Sequence, residues 1–71
     1  MAFEIRINGK DSDISDGTTV EEMLRSMELD PETSRGIAVA VNERIVRRQD
    51  WKVVRLSGGD EVDIVTALQG G

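Results

Sequence analysis

The chain has no cysteine, no histidine and no tyrosine, and only one proline, one tryptophan and one phenylalanine in 71 residues. Without cysteine it can form no disulfide framework and offers no thiol nucleophile. Without histidine it also lacks the imidazole base and most soft metal ligands. Nothing therefore suggests secretion, and the cytoplasm is the expected compartment. Long apolar runs are missing as well. The longest, Ile37 to Val41, is far too short to span a bilayer, and no signal peptide is visible, so no membrane role is expected. Positive charge is scarce: nine Lys and Arg stand against fourteen Asp and Glu, a net charge of −5. That balance argues against nucleic acid or an anionic membrane as partner. It suits a basic surface on another protein, or simply solubility.

A chain of this length makes one domain, and a domain so small buries only about 60% of the surface its unfolded chain exposes. A roomy substrate pocket would consume that thin core. The expectation is a carrier or binding module and not an enzyme. The carboxylates are scattered, and neither a catalytic pair nor metal-ligand spacing stands out. No catalytic residue, metal site or bound cofactor is expected in this chain.

What is present reads as alternating short elements. Phe3, Ile5 and Ile7 alternate with Glu4, Arg6 and Asn8, the period of a half-buried strand. Asn8-Gly9 is a strong hairpin signal, because both residues tolerate positive φ. A polar edge strand should return through Asp11 to Ser15. After Asp16-Gly17, either Thr18 or Thr19 can cap a helix with the Glu three residues on. Val20, Met23, Leu24 and Met27 form its apolar stripe. Pro31 should end it near Glu28. Glu32 to Gly36 reads as loop. Ile37 to Val41 is a strand, Asn42-Glu43-Arg44 a tight turn, and Ile45-Val46 a short returning strand. Arg47 to Lys52 is irregular and holds Trp51, and Ser57-Gly58-Gly59-Asp60 is a turn. Glu61 to Val65 is the last strand, with Val62 and Ile64 inward.

The order ββαβββ, with one helix to cover one sheet, predicts a two-layer α+β domain. The helix serves as a right-handed crossover, and the first and last strands become the central parallel pair. This is the β-grasp, or ubiquitin-like, fold: a mixed five-stranded sheet packed on one helix. The expected division is a β-grasp domain over 1–65 and a flexible tail over 66–71 ending in Gly-Gly. A free monomer is expected, although exposed edge strands can pair.

That end, Leu68-Gln69-Gly70-Gly71, is the most informative segment. At an average glycine usage of about 7%, chance places two glycines at the end of roughly 0.5% of chains. Met1 starts the chain cleanly and no tag is visible, which speaks against a cloning scar. A carboxylate is a poor electrophile and must be activated, for instance as an acyl-adenylate, before it can be transferred. Glycine leaves both faces of the last carbonyl open and lets the backbone thread a narrow channel. At about 3.3 Å per residue, Thr66 to Gly71 would reach roughly 20 Å from the body of the domain. Ala67 and Leu68 are candidate grips for a partner, or an ordinary strand extension.

From Val39 to Trp51 the sequence Val-Ala-Val-Asn-Glu-Arg-Ile-Val-Arg-Arg-Gln-Asp-Trp resembles the ThiS family of sulfur carriers. That family shows an apolar strand, an Asn, an apolar pair, a Pro-Arg pair and then a Trp. Gly59-Asp60-Glu61-Val62, the helix start Thr19 to Leu24, and Gly70-Gly71 match further features. Arg47 stands where the family often has Pro, which would stiffen that loop.

The resemblance implies a sulfur carrier of thiamine biosynthesis. A ThiF-type enzyme would use ATP and magnesium to adenylate the Gly71 carboxylate. Sulfur from a cysteine-desulfurase route would then make a thiocarboxylate, which donates to thiazole synthase of the ThiG type. Gly71 is the site, with Gly70, Gln69, Leu68 and Ala67 as tail-recognition residues. A carrier for molybdopterin or another sulfur pathway, a ubiquitin-like modifier, and a β-grasp interaction domain with an inert tail remain alternatives. Trp51 is expected to close one end of the core, with Arg48 stacked on it or bonding loop carbonyls. Arg44, Arg47 and Arg48 form a small basic patch. Asp60, Glu61 and Asp63 either steer docking or are a solvated face.

Overall fold

A computed structural model describes residues 2–29 and 36–66. Strands β1 (Ala2–Ile7) and β2 (Lys10–Ser15) form the first hairpin. Helix α1 (Val20–Ser26) follows, then β3 (Ile37–Val41), β4 (Arg44–Val46) and β5 (Glu61–Thr66), with one 3-10 turn at Arg48–Asp50. The sheet order is β2-β1-β5-β3-β4. β1 and β5 are parallel neighbours at the centre, as the ββαβββ order requires, and β2 and β4 are the edges.

Both hairpins turn on two residues in the left-handed region: Asn8 (φ 50°) with Gly9 (φ 82°), and Asn42 (φ 52°) with Glu43 (φ 69°). Such turns match the twist of the flanking strands. The second turn therefore spans Asn42-Glu43 alone, and Arg44 belongs to β4. The final strand likewise reaches Thr66, one residue beyond the expected 61–65.

Thr19 caps α1 through a complete capping box. Its side chain accepts from the Glu22 N–H (3.2 Å), and its own N–H donates to the Glu22 carboxylate (2.9 Å). The Val20 and Glu21 N–H groups donate to the carbonyls of Val54 and Trp51, so the loop after β4 closes over the helix start. The helix ends at Ser26, earlier than Pro31 alone would demand. Glu28 (φ 65°) enters the left-handed region, its N–H donates to the Arg25 carbonyl, and the Leu29 N–H donates to the Leu24 carbonyl. This is a Schellman motif, formed here without glycine. Pro31 itself lies outside the described residues.

One face of the sheet packs on α1. Ile5, Val39, Val62 and Ile64 meet Val20, Met23 and Leu24 from the helix, and Leu56 and Trp51 complete the core. Trp51 is 2% exposed, its indole N–H donates to the Val46 carbonyl (2.9 Å), and the Arg48 guanidinium lies 4.9 Å from the ring centre. The ring closes one end of the core with the cation stacked on it. Arg47 sits at φ −66°, ψ 148°, the conformation a proline would take.

Candidate functional site

The chemistry predicted from the sequence centres on Gly71, with Gly70, Gln69, Leu68 and Ala67, all outside the described residues. The structure instead describes the ground these residues leave from: the end of β5 and its surroundings.

β5 alternates strictly. Val62 and Ile64 are buried against the helix side, while Glu61, Asp63 and Val65 face away. On that open face Val65 pairs across the sheet with Ala38, and Ala40 pairs with Ile45. Val65 is 63% exposed and Ile45 73% exposed. Together these residues form an apolar strip running from β4 across β3 to the end of β5, with the charged Asp63 opposite Ala40. Adjoining exposed apolar side chains of this kind make the strip a candidate interaction surface.

Two asparagines seize β5 from its two sides. Asn42 Oδ1 accepts from the Glu61 N–H (3.0 Å), and its Nδ2 donates to the Asp60 carboxylate (3.0 Å). Asp60 also accepts from the Ser57 N–H (2.8 Å), so this carboxylate shapes the turn that begins β5. It is not a free steering charge, whereas Glu61 and Asp63 are exposed. On the other side Asn8 Oδ1 accepts from the Ile64 N–H (2.8 Å), and its Nδ2 donates to the Ile64 carbonyl (3.2 Å). From the sequence both asparagines read as turn residues, Asn42 also as part of the family-like stretch, and neither as a partner of β5. The available signal was that each opens a two-residue hairpin loop, which aims its side chain back at the neighbouring strand.

Arg44 and Arg47 are exposed near the β4 edge, while Arg48 is engaged on Trp51. Open depressions occur among the described residues. One is lined by Glu4, Arg6, Asp11 and Glu61, another by Asp13, Ser15, Thr18, Glu22 and Ser26. Neither sets a nucleophile beside a base. Hydrogen bonds from the Thr19 N–H and then the Thr19 hydroxyl hold the Glu22 carboxyl below the ordinary range. That group serves the helix cap. Among the described residues no group of three or more acidic side chains could hold a metal ion, and no helix is long and apolar enough to cross a membrane.

Comparison with known proteins adds what this geometry lacks. The model of the ThiS family matches residues 5–71. A sulfur carrier protein ThiS of Escherichia coli is 28% identical over 69 residues, spanning 97% of this chain and 100% of that protein. A thiazole synthase of Paramagnetospirillum magneticum is 35% identical over 69 residues, but the chain spans only 20% of its length. Among solved structures, that of a thiamine biosynthesis protein (ThiS) from Geobacter metallireducens superposes with a TM-score of 0.79 at 21% identity, covering 97% of this chain and 100% of that one. It shares the β-grasp fold.

Proposed function

The chain belongs to the ThiS family, and from that premise we propose that it carries sulfur for thiamine biosynthesis on the carboxyl group of Gly71. The observation that carries the reading is the family match, which runs through Gly70 and Gly71. The chain's own inventory agrees with it. A protein without cysteine can hold transferable sulfur only if another group, here its terminal carboxylate, becomes the sulfur group.

In this reading a ThiF-type enzyme, using ATP and magnesium, joins the Gly71 carboxylate to AMP and releases pyrophosphate. Sulfur supplied through a cysteine desulfurase then displaces AMP and leaves a thiocarboxylate. Thiazole synthase accepts the sulfur. Support for that last partner is the thiazole synthase that contains a stretch similar to this chain. The carrier is a co-substrate of these enzymes and not itself a catalyst. Gly70, Gln69, Leu68 and Ala67 are the residues the partner reads, and the β-grasp domain over 1–65 is what it holds. The apolar strip of Val65, Ala38, Ala40 and Ile45 is the surface it covers, because that strip is continuous with the root of the tail.

The test is the intact mass of the protein isolated from its native cells. A species in which one oxygen is exchanged for sulfur is expected, and it should vanish when Gly71 is deleted. Thiamine auxotrophy on loss of the protein should then identify the pathway. A mass showing that the mature chain continues past Gly71, or stable adducts on lysines with no thiocarboxylate, would overturn the proposal.

A further inference from the structure

We propose that Asn8 is a positioning residue for the carrier end: its side chain stands in for the missing length of β1 and sets the direction in which the chain leaves the domain. The inference rests on the reading of Gly71 given above, but its structural half stands apart from it.

The β1–β5 pairing is short. It covers only Arg6 with Glu61 and Ile7 with Val62, after which β1 turns away into the hairpin. The Asn8 N–H still donates to the Val62 carbonyl (2.8 Å). Beyond that point the backbone of β1 is gone, while β5 continues for four more residues, to Thr66. The groups that β5 turns toward β1 belong to alternate residues, so Val62, Ile64 and Thr66 share that edge. Ile64 would therefore present an unpaired N–H and carbonyl two residues before the strand ends. The Asn8 carboxamide takes both, accepting at 2.8 Å and donating at 3.2 Å, across 56 positions of sequence. A primary amide matches a peptide unit group for group, so the ladder is extended by one rung made of side chain.

Only asparagine meets both demands of the position. The turn needs φ of 50°, which glycine, asparagine and aspartate tolerate. The rung needs one donor and one acceptor on a short arm. Glycine supplies neither, and aspartate supplies only the acceptor while facing the Ile64 carbonyl with charge. On its other side β5 is paired with β3 as far as Thr66 and Ile37. With both sides held at Ile64, the last residues of the strand are aimed, and a partner does not have to order them on binding.

The experiment compares the full-length protein with Asn8→Gly, which keeps the turn and removes the rung. Asn42→Gly, which releases the opposite end of β5, is the control. Amide exchange and 15N relaxation are read at Ile64, Val65 and Thr66, and steady-state adenylation is read with the ATP-dependent activating enzyme. Asn8→Gly should expose the Ile64 amide and move the Thr66 order parameter from the rigid range, about 0.85, toward about 0.6 or below. It should raise KM for the carrier roughly three- to tenfold, with kcat within about twofold. Asn42→Gly should leave KM unchanged. If Asn8→Gly does not fold, Asn8→Asp carries the same readouts. Unaltered order at Thr66, or altered order with an unaltered KM, overturns the proposal. If the wild-type chain itself gives no adenylate, the carrier reading fails instead, and the order parameter alone decides the role of Asn8.

Discussion

Glu22 shows how one side chain couples the helix start to pH. The Thr19 N–H and hydroxyl both contact its carboxylate, so the charged form is favoured in the folded protein. The unfolded chain binds that proton more tightly. The stabilisation is therefore complete above the ordinary unfolded value, about 4.5, and is lost as pH falls through the lower folded value. The Glu22→Gln variant keeps an oxygen acceptor but not the titration. The gap in thermal midpoint between wild type and variant should be widest near neutral pH and close in acid. A gap independent of pH would remove the carboxylate from the account. Arg47 offers a second residue-scale test. It holds φ at −66°, it follows extended Val46, and its N–H has no backbone partner among the described residues. These are the conditions proline needs. Arg47→Pro should stabilise the protein by about 0.4–1 kcal/mol in denaturant titration, through a less free unfolded chain.

At the scale of elements, the two hairpins do more than reverse the chain. Each begins with an asparagine in the left-handed region, and each of these side chains grips β5, one near its start and the other near its end. The central strand is thus stitched in by its neighbours' turns. Asn42→Gly keeps the turn geometry but loses the bonds to Glu61 and Asp60. The expected cost is about 1–3 kcal/mol, from two hydrogen bonds of about 0.5–1.5 each, measured as a shift in denaturant midpoint at unchanged slope. No shift would mean that water replaces both bonds without loss.

Across the whole molecule, the sheet order sets which side chains share an edge. Asp11 and Asp13 lie on β2 at one edge, while Arg44 lies on β4 at the other and Arg47 just beyond it. Between them the open face carries Ala38, Ala40, Ile45 and Val65 near the end of β5. Ile45→Glu alters only exposed surface and should leave stability within about 0.5 kcal/mol. If the activating enzyme covers this strip, the same change should raise its KM for the carrier about tenfold or more, since burying such a side chain is worth about 1.5–3 kcal/mol. An unchanged KM would place the docking surface elsewhere.

Periodicity and turn chemistry were enough to read the element order, the polar edge strand and the inward faces of β1 and β5, because each is set by residues close together in the chain; they narrowed the helix cap to Thr18 or Thr19, and the structure selects Thr19. The Gly-Gly end stood out as a candidate site for the same reason, since the pattern is two adjacent residues, and it lies outside the described residues. The helix stop at Ser26 was not, since it depends on Glu28 accepting an unfavourable φ so that Leu29 can reach the core. Nor was the use of Asn8 and Asn42. Their partners are 56 and 19 positions away, and only the sheet topology brings them together. The strip of Ala38, Ala40, Ile45 and Val65 likewise exists only once strand register is known, because a shift of one residue would turn those side chains to the opposite face.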